Sequence, residues 1–462
     1  MIAADALRSR REALARAWAD HRGPVIVPSG LAVPIAGNDQ FHEFHVHAEH
    51  YYLAGAAAPG AVLAFDAREG WTLFAHVAGQ EERVWTGDTE PLESVAAASG
   101  LERVLPADQL ERWLEGHRGE PLAVLGNHDI LLRPSGYGLT RLAALELDVD
   151  GPACTTLSER VSEARRAKDG VELDLMRGAA AATRAGHLAA LGRARAGMTE
   201  RQLQVEVEAE LFRNGAERTA YGSIVGSGPN AAILHVAPSN RELRQGDLLL
   251  MDAAGEHEGY AADVTRTFPV GRRFEGIQRD LYQLVLSVQE RAIAGVRPGV
   301  EYRDLHMEAA HGIAGGLASL GLLRGTPEDL VEQDAHALFF VHGLGHMLGL
   351  ATHDAGGCLA GRTPSDRFGL KYLRTDLPLG PGYVVTIEPG VYFIPALLND
   401  PGLRERYRDA VDWARVDRML DFGGIRIEDD VLVTETGADV LSAGIPKQIH
   451  EIEALRAEAF AL

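Results

Sequence analysis

Acidic residues interrupt apolar, strand-like runs at several places in the second half of the chain. Asp252 follows the run LLLM, Asp263 lies within YAADVTRTF, and Glu388 ends the run VVTI. A carboxylate carried into an apolar interior is costly unless a cation or hydrogen bonds compensate it. The alternative for any one of these acids is an exposed position at a strand edge or turn.

The two aspartates are predicted to lie on one β-hairpin. Glycines flank a polar tip formed by His257 and Glu258, and a two-residue turn centred there would place Asp252 directly opposite Asp263. Directly opposed strand residues have Cβ atoms roughly 4.5 to 5.5 Å apart. Two carboxylates at that distance would repel one another unless a cation lay between them.

Two further segments carry candidate ligands. In GGIRIEDDV, Arg426 and Glu428 are two positions apart and so share one face of a strand, although simple amphipathicity is the alternative. In HGLGHMLGLATHD, His342 and His346 have the spacing of the zinc metalloprotease helix, but that motif needs a Glu after the first His, and Gly343 stands there. Glycines also make a poor helix, so we predict a loop that carries imidazoles into a site.

Four carboxylates and one imidazole form the predicted ligand set, namely Asp252, Asp263, His346, Glu388 and Glu428. Two divalent ions would balance this charge, and bridging carboxylates can hold such ions roughly 3.5 to 4 Å apart. An oxygen-rich set favours Mn²⁺, Co²⁺ or Zn²⁺ over a metal that prefers soft ligands. We therefore expect two divalent metal ions, with Mn²⁺ as the first choice.

Length and pattern predict two domains. A chain of 462 residues exceeds the size at which one core usually keeps growing. Residues 1–165 alternate strand-like runs such as AVLAFD with helical ones such as ADQLERWLEGH and YGLTRLAALEL, which is an α/β pattern. After the polar stretch SEARRAKDG, residues 166–462 combine long amphipathic helices with strands and are predicted to be α+β with an antiparallel component.

Charge and hydropathy exclude several classes of protein. The formal net charge of −21 would repel nucleic acid, and no basic stripe offsets it. No run approaches the roughly 18 to 20 apolar residues of a membrane helix, and the N-terminus lacks the pattern of a signal peptide. The two cysteines do not indicate a disulfide framework. We expect a cytoplasmic protein that binds neither nucleic acid nor membrane.

The segment FHEFHVHAEHYY contains His42, His45, His47 and His50. Four histidines so close together could suggest a metal site. Their spacing, however, matches no arrangement with carboxylates or thiolates, and aromatic residues flank them. A structural or substrate-lining role is therefore preferred.

The ordered ligand set, in the contexts LLLMDAAGEHEGYAADVTRTFPV, HGLGHMLGLATHD, TIEPGVYF and GGIRIEDDV, resembles the pita-bread metallopeptidases. This family includes methionine aminopeptidase, aminopeptidase P, prolidase and the metal-free creatinase. The resemblance covers residues 165–450 and implies a creatinase-like α/β N-terminal domain followed by an α+β pita-bread catalytic domain. It also implies a homodimer or homotetramer.

The resemblance implies a role for each metal ligand. Asp252 would chelate one ion, His346 and Glu388 the other, and Asp263 and Glu428 would bridge the two. A metal-bound hydroxide would then attack the scissile carbonyl of the substrate, with Glu388 as the proton shuttle.

Five further residues receive roles from the same resemblance. His353 and His235 would hold the substrate and stabilise the tetrahedral intermediate. Tyr221 and Arg426 would support the site, and His342 would lie near the substrate.

The segment GLKYLRTDLPLGPGYVVTIEPGVYF resembles prolidases, in which Arg374 would bind the free carboxylate of a C-terminal proline. A guanidinium suits bidentate carboxylate binding, whereas a surface arginine is the alternative. We therefore predict a prolidase that hydrolyses Xaa-Pro dipeptides. The alternative is an Xaa-Pro aminopeptidase acting on longer peptides, and a metal-free binding module is a remote third. Organophosphate hydrolysis is open as a side activity.

Overall fold

The computed structural model describes residues 2–55, 58–126 and 148–461. The chain divides into two compact units, Met1–Arg165 and Arg166–Leu462. The helix predicted for YGLTRLAALEL lies outside the described residues.

The N-terminal unit contains a five-stranded mixed sheet in the order β4-β3-β2-β1-β5. Strands β1 and β3 pair with β2 antiparallel, whereas β4 and β5 join the sheet parallel to β3 and β1. The strands are β1 (Val25–Pro28), β2 (Val62–Asp66), β3 (Gly70–Ala75), β4 (Val104–Pro106) and β5 (Ala123–Val124). The helices are α1 (Ala4–Ala17), α2 (Ala48–Ala54), α3 (Gln80–Thr86), α4 (Leu92–Ser99) and α5 (Leu110–Glu115). The α/β prediction for this unit is confirmed.

Long helices precede and separate the strands of the C-terminal unit. After α6 (Gly151–Arg166), which belongs to the N-terminal unit up to Arg165, a capping box at Asp169 and Glu172 starts the next helix, and a second box at Thr199 and Gln202 starts the one after it. The helices are α7 (Gly170–Arg193), α8 (Glu200–Arg213), α9 (Ile277–Gly295), α10 (Tyr302–Ser319), α11 (Pro327–Glu332), α12 (Pro395–Leu398), α13 (Pro401–Arg406), α14 (Trp413–Val416) and α15 (Ile449–Ala459). Their apolar faces supply much of one large buried cluster.

The strands of this unit form small sheets, in the orders β10-β9-β6, β11-β8-β7, β14-β17-β18, β15-β16 and β12-β13. Pairing is antiparallel except between β12 and β13, so the α+β prediction is confirmed. The strands are β6 (Arg218–Thr219), β7 (Ile224–Ser227), β8 (Leu248–Asp252), β9 (Gly255–His257), β10 (Tyr260–Ala261), β11 (Thr265–Pro269), β12 (Gly357–Cys358), β13 (Thr375–Asp376), β14 (Val384–Ile387), β15 (Gly390–Tyr392), β16 (Gly424–Arg426), β17 (Asp429–Val433) and β18 (Ala438–Val440).

The predicted hairpin exists, but its predicted register is wrong. His257 pairs with Tyr260, so the turn is centred on Glu258 and Gly259, and Asp252 lies opposite Thr265 rather than Asp263. Glu258 and Gly259 have φ values of 45° and 81°, as a type I′ turn requires at both central positions. Glycine adopts this conformation readily, so the turn includes Gly259 instead of His257.

Among the residues that the structure describes, no helix combines the length and the apolar character needed to cross a membrane. Neither Cys154 nor Cys358 forms a disulfide.

Candidate metal centre and substrate cavity

All five predicted metal ligands line one cavity of about 1020 Å³ in the C-terminal unit. Nε2 of His346 lies 3.3 Å from Oδ2 of Asp263 and 3.7 Å from Oε1 of Glu388. Asp263, His346 and Glu428 present ligand atoms that all lie within 4.8 Å of one another. Residues up to 176 positions apart, from Asp252 to Glu428, therefore meet at one place.

Three of the five ligands are held where a strand begins or ends. Asp252 is the last residue of β8, and Glu388 directly follows β14. Glu428 directly precedes β17, and its backbone N–H donates to the carbonyl of Thr265 at 3.1 Å. At these positions a side chain can point away from the sheet while the backbone keeps its hydrogen bonds to the neighbouring strand.

A loop carries His346, as predicted. Gly345 lets this loop lie close to β14 and α10, because a Cβ at this position would overlap the carbonyl oxygen of Thr386 and the hydroxyl of Tyr302. The His346 backbone N–H donates to Oγ1 of Thr386 at 3.0 Å, and Nδ1 lies 3.0 Å from the carbonyl of Met347. Because Nδ1–H donates to a carbonyl, Nε2 is the ring nitrogen left to face the carboxylates, as in a metal-binding histidine.

The electrostatics of the cavity also fit bound cations. Burial raises the pKa of Glu428 well above its ordinary value, and the neighbouring Asp263 and Glu388 raise it further. Burial likewise raises the pKa of Asp252, and it raises the pKa of Glu388 to about 7. Carboxylates that destabilise one another in this way are compensated when divalent cations lie among them.

Asp252 receives two hydrogen bonds from the predicted supporting residues. The hydroxyl of Tyr221 donates to Oδ1, and Nη2 of Arg426 donates to Oδ2. Both oxygens are thereby oriented, and the guanidinium partly offsets the charge of the carboxylate.

Thr265 and Tyr392 extend this network, and the sequence analysis missed both. Arg426 donates through Nε to Oγ1 of Thr265 at 2.9 Å and through Nη1 to the hydroxyl of Tyr392 at 2.8 Å. Thr265 in turn donates to Oε2 of Glu428 at 2.6 Å. The sequence did carry a signal for Thr265. This residue lies two positions after Asp263 in the same strand-like run, and alternate residues of a strand share one face.

The backbone around the ligands is also fixed by buried charges that the sequence analysis did not single out. The N–H of Asp263 donates to both carboxylate oxygens of Asp430, at 3.2 and 3.3 Å. Arg266 donates to the carbonyl of Glu428 at 2.6 Å and pairs with Asp429 at 2.7 Å. Such outer contacts orient the residues that bind a metal.

Three histidines and Arg374 are among the other residues that line the cavity. His342 accepts a hydrogen bond from Tyr392 at Nε2 (2.9 Å), and its Nδ1 lies 3.7 Å from Oε2 of Glu388. Burial lowers the pKa of His342 to about 3, so this imidazole is neutral. The ring of His353 packs edge-on against His346 with 4.3 Å between centroids, whereas His235 is exposed at the cavity surface.

Comparison with known proteins identifies the family. The sequence profile of metallopeptidase family M24 matches residues 174–435. The chain belongs to this family. The profile of the aminopeptidase P N-terminal domain matches residues 7–120, and the pita-bread prediction is confirmed.

Full-length relatives of this M24 peptidase include two named Xaa-Pro aminopeptidases. One, a probable Xaa-Pro aminopeptidase of Botryotinia fuckeliana, is 34% identical and covers 93% of this chain and 91% of its own. The Xaa-Pro aminopeptidase of Escherichia coli is 33% identical, with 91% of each chain covered. The solved structure of E. coli aminopeptidase P with the inhibitor Pro-Leu matches with a TM-score of 0.83 at 30% identity, covering all of both chains.

Only one other group in the described part of the M24 peptidase resembles a metal site. Asp66, His117 and Glu120 meet in the N-terminal unit, but Nη2 of Arg68 lies 3.0 to 3.2 Å from an oxygen of each carboxylate and from Nδ1 of His117. The guanidinium already supplies the positive charge that a metal ion would bring, so this group is an ion-pair network.

Among the described residues, no histidine of the histidine-rich segment belongs to a group of three or more potential metal ligands. His50 is buried with Nδ1 2.8 Å from the carbonyl of Val27, and burial lowers its pKa to about 4. His42 and His45 are exposed, and His47 is half-buried. A structural role for His50 agrees with the prediction.

Proposed function

We propose that this M24 peptidase is a metal-dependent Xaa-Pro aminopeptidase, which removes the N-terminal residue from peptides whose second residue is proline. The observation that carries the proposal is the set of Asp252, Asp263, His346, Glu388 and Glu428 around one cavity. The names of the full-length relatives supply the substrate class. They favour the aminopeptidase over the prolidase that the sequence alone suggested.

The donor set fits two divalent ions, with Mn²⁺ as the first choice and Co²⁺ or Zn²⁺ as alternatives. Asp252 would help to hold one ion, His346 and Glu388 would help to hold the other, and Asp263 and Glu428 would contribute to both. When bound, such ions lower the pKa of water and polarise a carbonyl.

The chain's own residues then have distinct tasks. Glu388 holds or passes the proton of the attacking water, and the neutral imidazole of His342 lies near the substrate, with Nδ1 3.7 Å from Oε2 of Glu388. His353 and His235 position the peptide and donate to the oxygen on which charge develops. Tyr221 and Arg426 keep Asp252 in place. Arg374 binds a substrate carboxylate.

The test compares cleavage of Ala-Pro-Ala with cleavage of Ala-Pro by metal-stripped protein, with and without Mn²⁺, by following free alanine. Mn²⁺-dependent cleavage that favours the tripeptide supports the aminopeptidase. Cleavage of the dipeptide alone would overturn it in favour of the prolidase, with Arg374 as the selector.

Glu428→Gln, which removes a bridging charge, is expected to abolish cleavage and to reduce bound metal; full activity in this variant would contradict the dinuclear site.

A further inference from the structure

Glu200 is a buried carboxylate that the candidate metal centre does not use. It is the first residue of α8, and its exposed fraction is 0%. The start of this helix does not depend on it, because Thr199 and Gln202 already form the capping box. A charge buried to this extent has to be compensated by its surroundings, so its hydrogen-bond partners indicate its role.

Six hydrogen bonds from one other segment converge on this carboxylate. Oε1 accepts from the backbone N–H and the hydroxyl of Ser227, at 2.8 and 2.9 Å, and from the side-chain amide of Asn230 at 3.0 Å. Oε2 accepts from the same amide at 3.1 Å and from the backbone N–H and the hydroxyl of Ser239, at 3.2 and 2.6 Å. Because hydrogen bonds to an ionised acceptor are roughly twice as strong as neutral ones, Glu200 ties both ends of residues 227–239 to the start of α8.

Arg241 fixes the direction of the two serine hydroxyls. Its Nη1 donates to Oγ of Ser227 at 2.5 Å, and its backbone N–H donates to Oγ of Ser239 at 3.0 Å. Because each hydroxyl oxygen accepts from Arg241, each hydroxyl hydrogen is left to donate to Glu200. The groups that hydrogen-bond the carboxylate are therefore all donors, and they require an acceptor at both of its oxygens.

Residues 227–239 carry His235 into the substrate cavity. After the 3₁₀ helix Gly228–Ala232, residues 234–238 all line that cavity. In the part of the chain that the structure describes, no hydrogen bond holds the imidazole of His235. Its position therefore depends on the backbone on either side, which Glu200 fixes at both ends. A misplacement of about 1 Å can lower the rate of an enzyme by about 100-fold.

We propose that Glu200 is a positioning residue for His235, which it places by fixing residues 227–239 against the start of α8. The proposal rests on the proposed function, in which His235 positions the peptide and donates to the oxygen on which charge develops. Glu200 does not line the cavity, so its effect on cleavage passes through the segment that it holds.

Glutamine has the shape of Glu200 but cannot replace it. One carboxylate oxygen accepts from the backbone N–H of Ser227 and the other from that of Ser239, and a backbone N–H cannot become an acceptor. Whichever way the amide of a glutamine points, its NH₂ group faces one of these donors. Glu200→Gln should therefore release one end of the segment while the volume of the side chain is kept.

The test is a double-mutant cycle on Mn²⁺-loaded full-length protein, with Ala-Pro-Ala as substrate and kcat/KM as the readout. Glu200→Gln should lower kcat/KM about tenfold in the wild-type background. The loss should shrink to less than about twofold when His235→Ala is already present, because the group that Glu200 positions is then missing. An equal loss in both backgrounds would overturn the proposal, since a general effect on folding does not depend on His235.

Glu172→Gln is the matched control. Glu172 is 2% exposed, lies in the first turn of α7 and accepts from the hydroxyl of Tyr260 at 2.9 Å, but it lies outside the cavity lining. Its effect on kcat/KM should be the same with and without His235. If Glu200→Gln does not fold, Ser239→Ala takes its place in the cycle, because it removes one donor and leaves the carboxylate; the expected loss is then about threefold.

Three other outcomes would overturn the positioning role. Wild-type kcat/KM in His235→Ala would remove the task of His235 and leave the aminopeptidase proposal intact. Less bound Mn²⁺ in Glu200→Gln than in the wild type would show that the carboxylate acts on the metal centre instead. Failure of the wild type to cleave Ala-Pro-Ala would overturn the proposed function itself.

Discussion

At the scale of single residues, Thr265 joins two parts of the candidate metal centre. Its hydroxyl donates to Glu428 at 2.6 Å and accepts from Nε of Arg426 at 2.9 Å. Thr265→Val keeps the shape but removes both hydrogen bonds, so Glu428 loses the contact that orients it. We expect the Mn²⁺ affinity of the stripped protein to fall by roughly 10- to 100-fold, as measured by calorimetric titration.

Thr267→Val is the matched control for this prediction. Thr267 is equally buried and also hydrogen-bonds Arg426, but only through the backbone carbonyl and N–H of that residue, at 2.9 and 3.1 Å. Both variants lose a buried hydroxyl, so both should lower the free energy of unfolding by about 1 to 3 kcal/mol. Equal loss of Mn²⁺ affinity in the two variants would contradict the orienting role of Thr265.

At the scale of elements, the connection between α6 and α7 holds the loop that carries His353. Lys168 pairs with Asp354 at 3.1 Å, with side chains only 1% and 2% exposed. Arg166 adds hydrogen bonds to the carbonyls of Ala355 and Gly356, at 3.1 and 3.2 Å. The loop next to His353 is thus fixed from a segment almost 190 residues earlier.

Lys168→Met should therefore be strongly destabilising, because it removes the positive charge beside a buried carboxylate. The expected loss is about 3 to 5 kcal/mol of unfolding free energy in urea titration, together with a raised KM for the peptide as the loop with His353 loosens. Arg408→Met breaks an exposed pair with Glu405 and should leave the urea midpoint nearly unchanged. Similar midpoints for the two variants would be evidence against the structural importance of the Lys168 pair.

At the scale of the whole molecule, metal binding should couple to stability. Without cations the buried carboxylates raise one another's pKa, and ions that bind only the folded protein stabilise it by mass action. Mn²⁺ at about 100 times its Kd should contribute about 2.7 kcal/mol per site, seen as a rise in Tm that chelation reverses.

Metal analysis of the loaded protein should find two ions per chain, since Arg68 already occupies the group of Asp66, His117 and Glu120. A third ion, or a Tm that does not respond to Mn²⁺, would contradict this assignment.

The parts of the site that could be predicted are those with a local sequence signal. Glu388 at the end of an apolar strand and the glycine-flanked loop of His342 and His346 both stand out because their immediate neighbours set the backbone. Alternation places Thr265 on the same strand face as Asp263, but the importance of Thr265 and Tyr392 comes from hydrogen bonds to Arg426, 161 and 34 positions away. The preference between dipeptides and longer peptides was also beyond the sequence signal, because both kinds of enzyme share the metal ligands.

The sequence by itself determined the two fold classes, the long helices and the main strands of the catalytic unit, and the five candidate ligands, because alternation and apolar runs are properties of neighbouring residues. Only the tertiary structure decided the register of the hairpin, in which Asp252 lies opposite Thr265. It also decided which charged side chains at the cavity have an oppositely charged partner and which do not. Those outcomes depend on packing between distant segments and on the position of a turn. Because Gly259 has a positive φ and lies at the centre of that turn, the residues after it pair with partners other than those predicted.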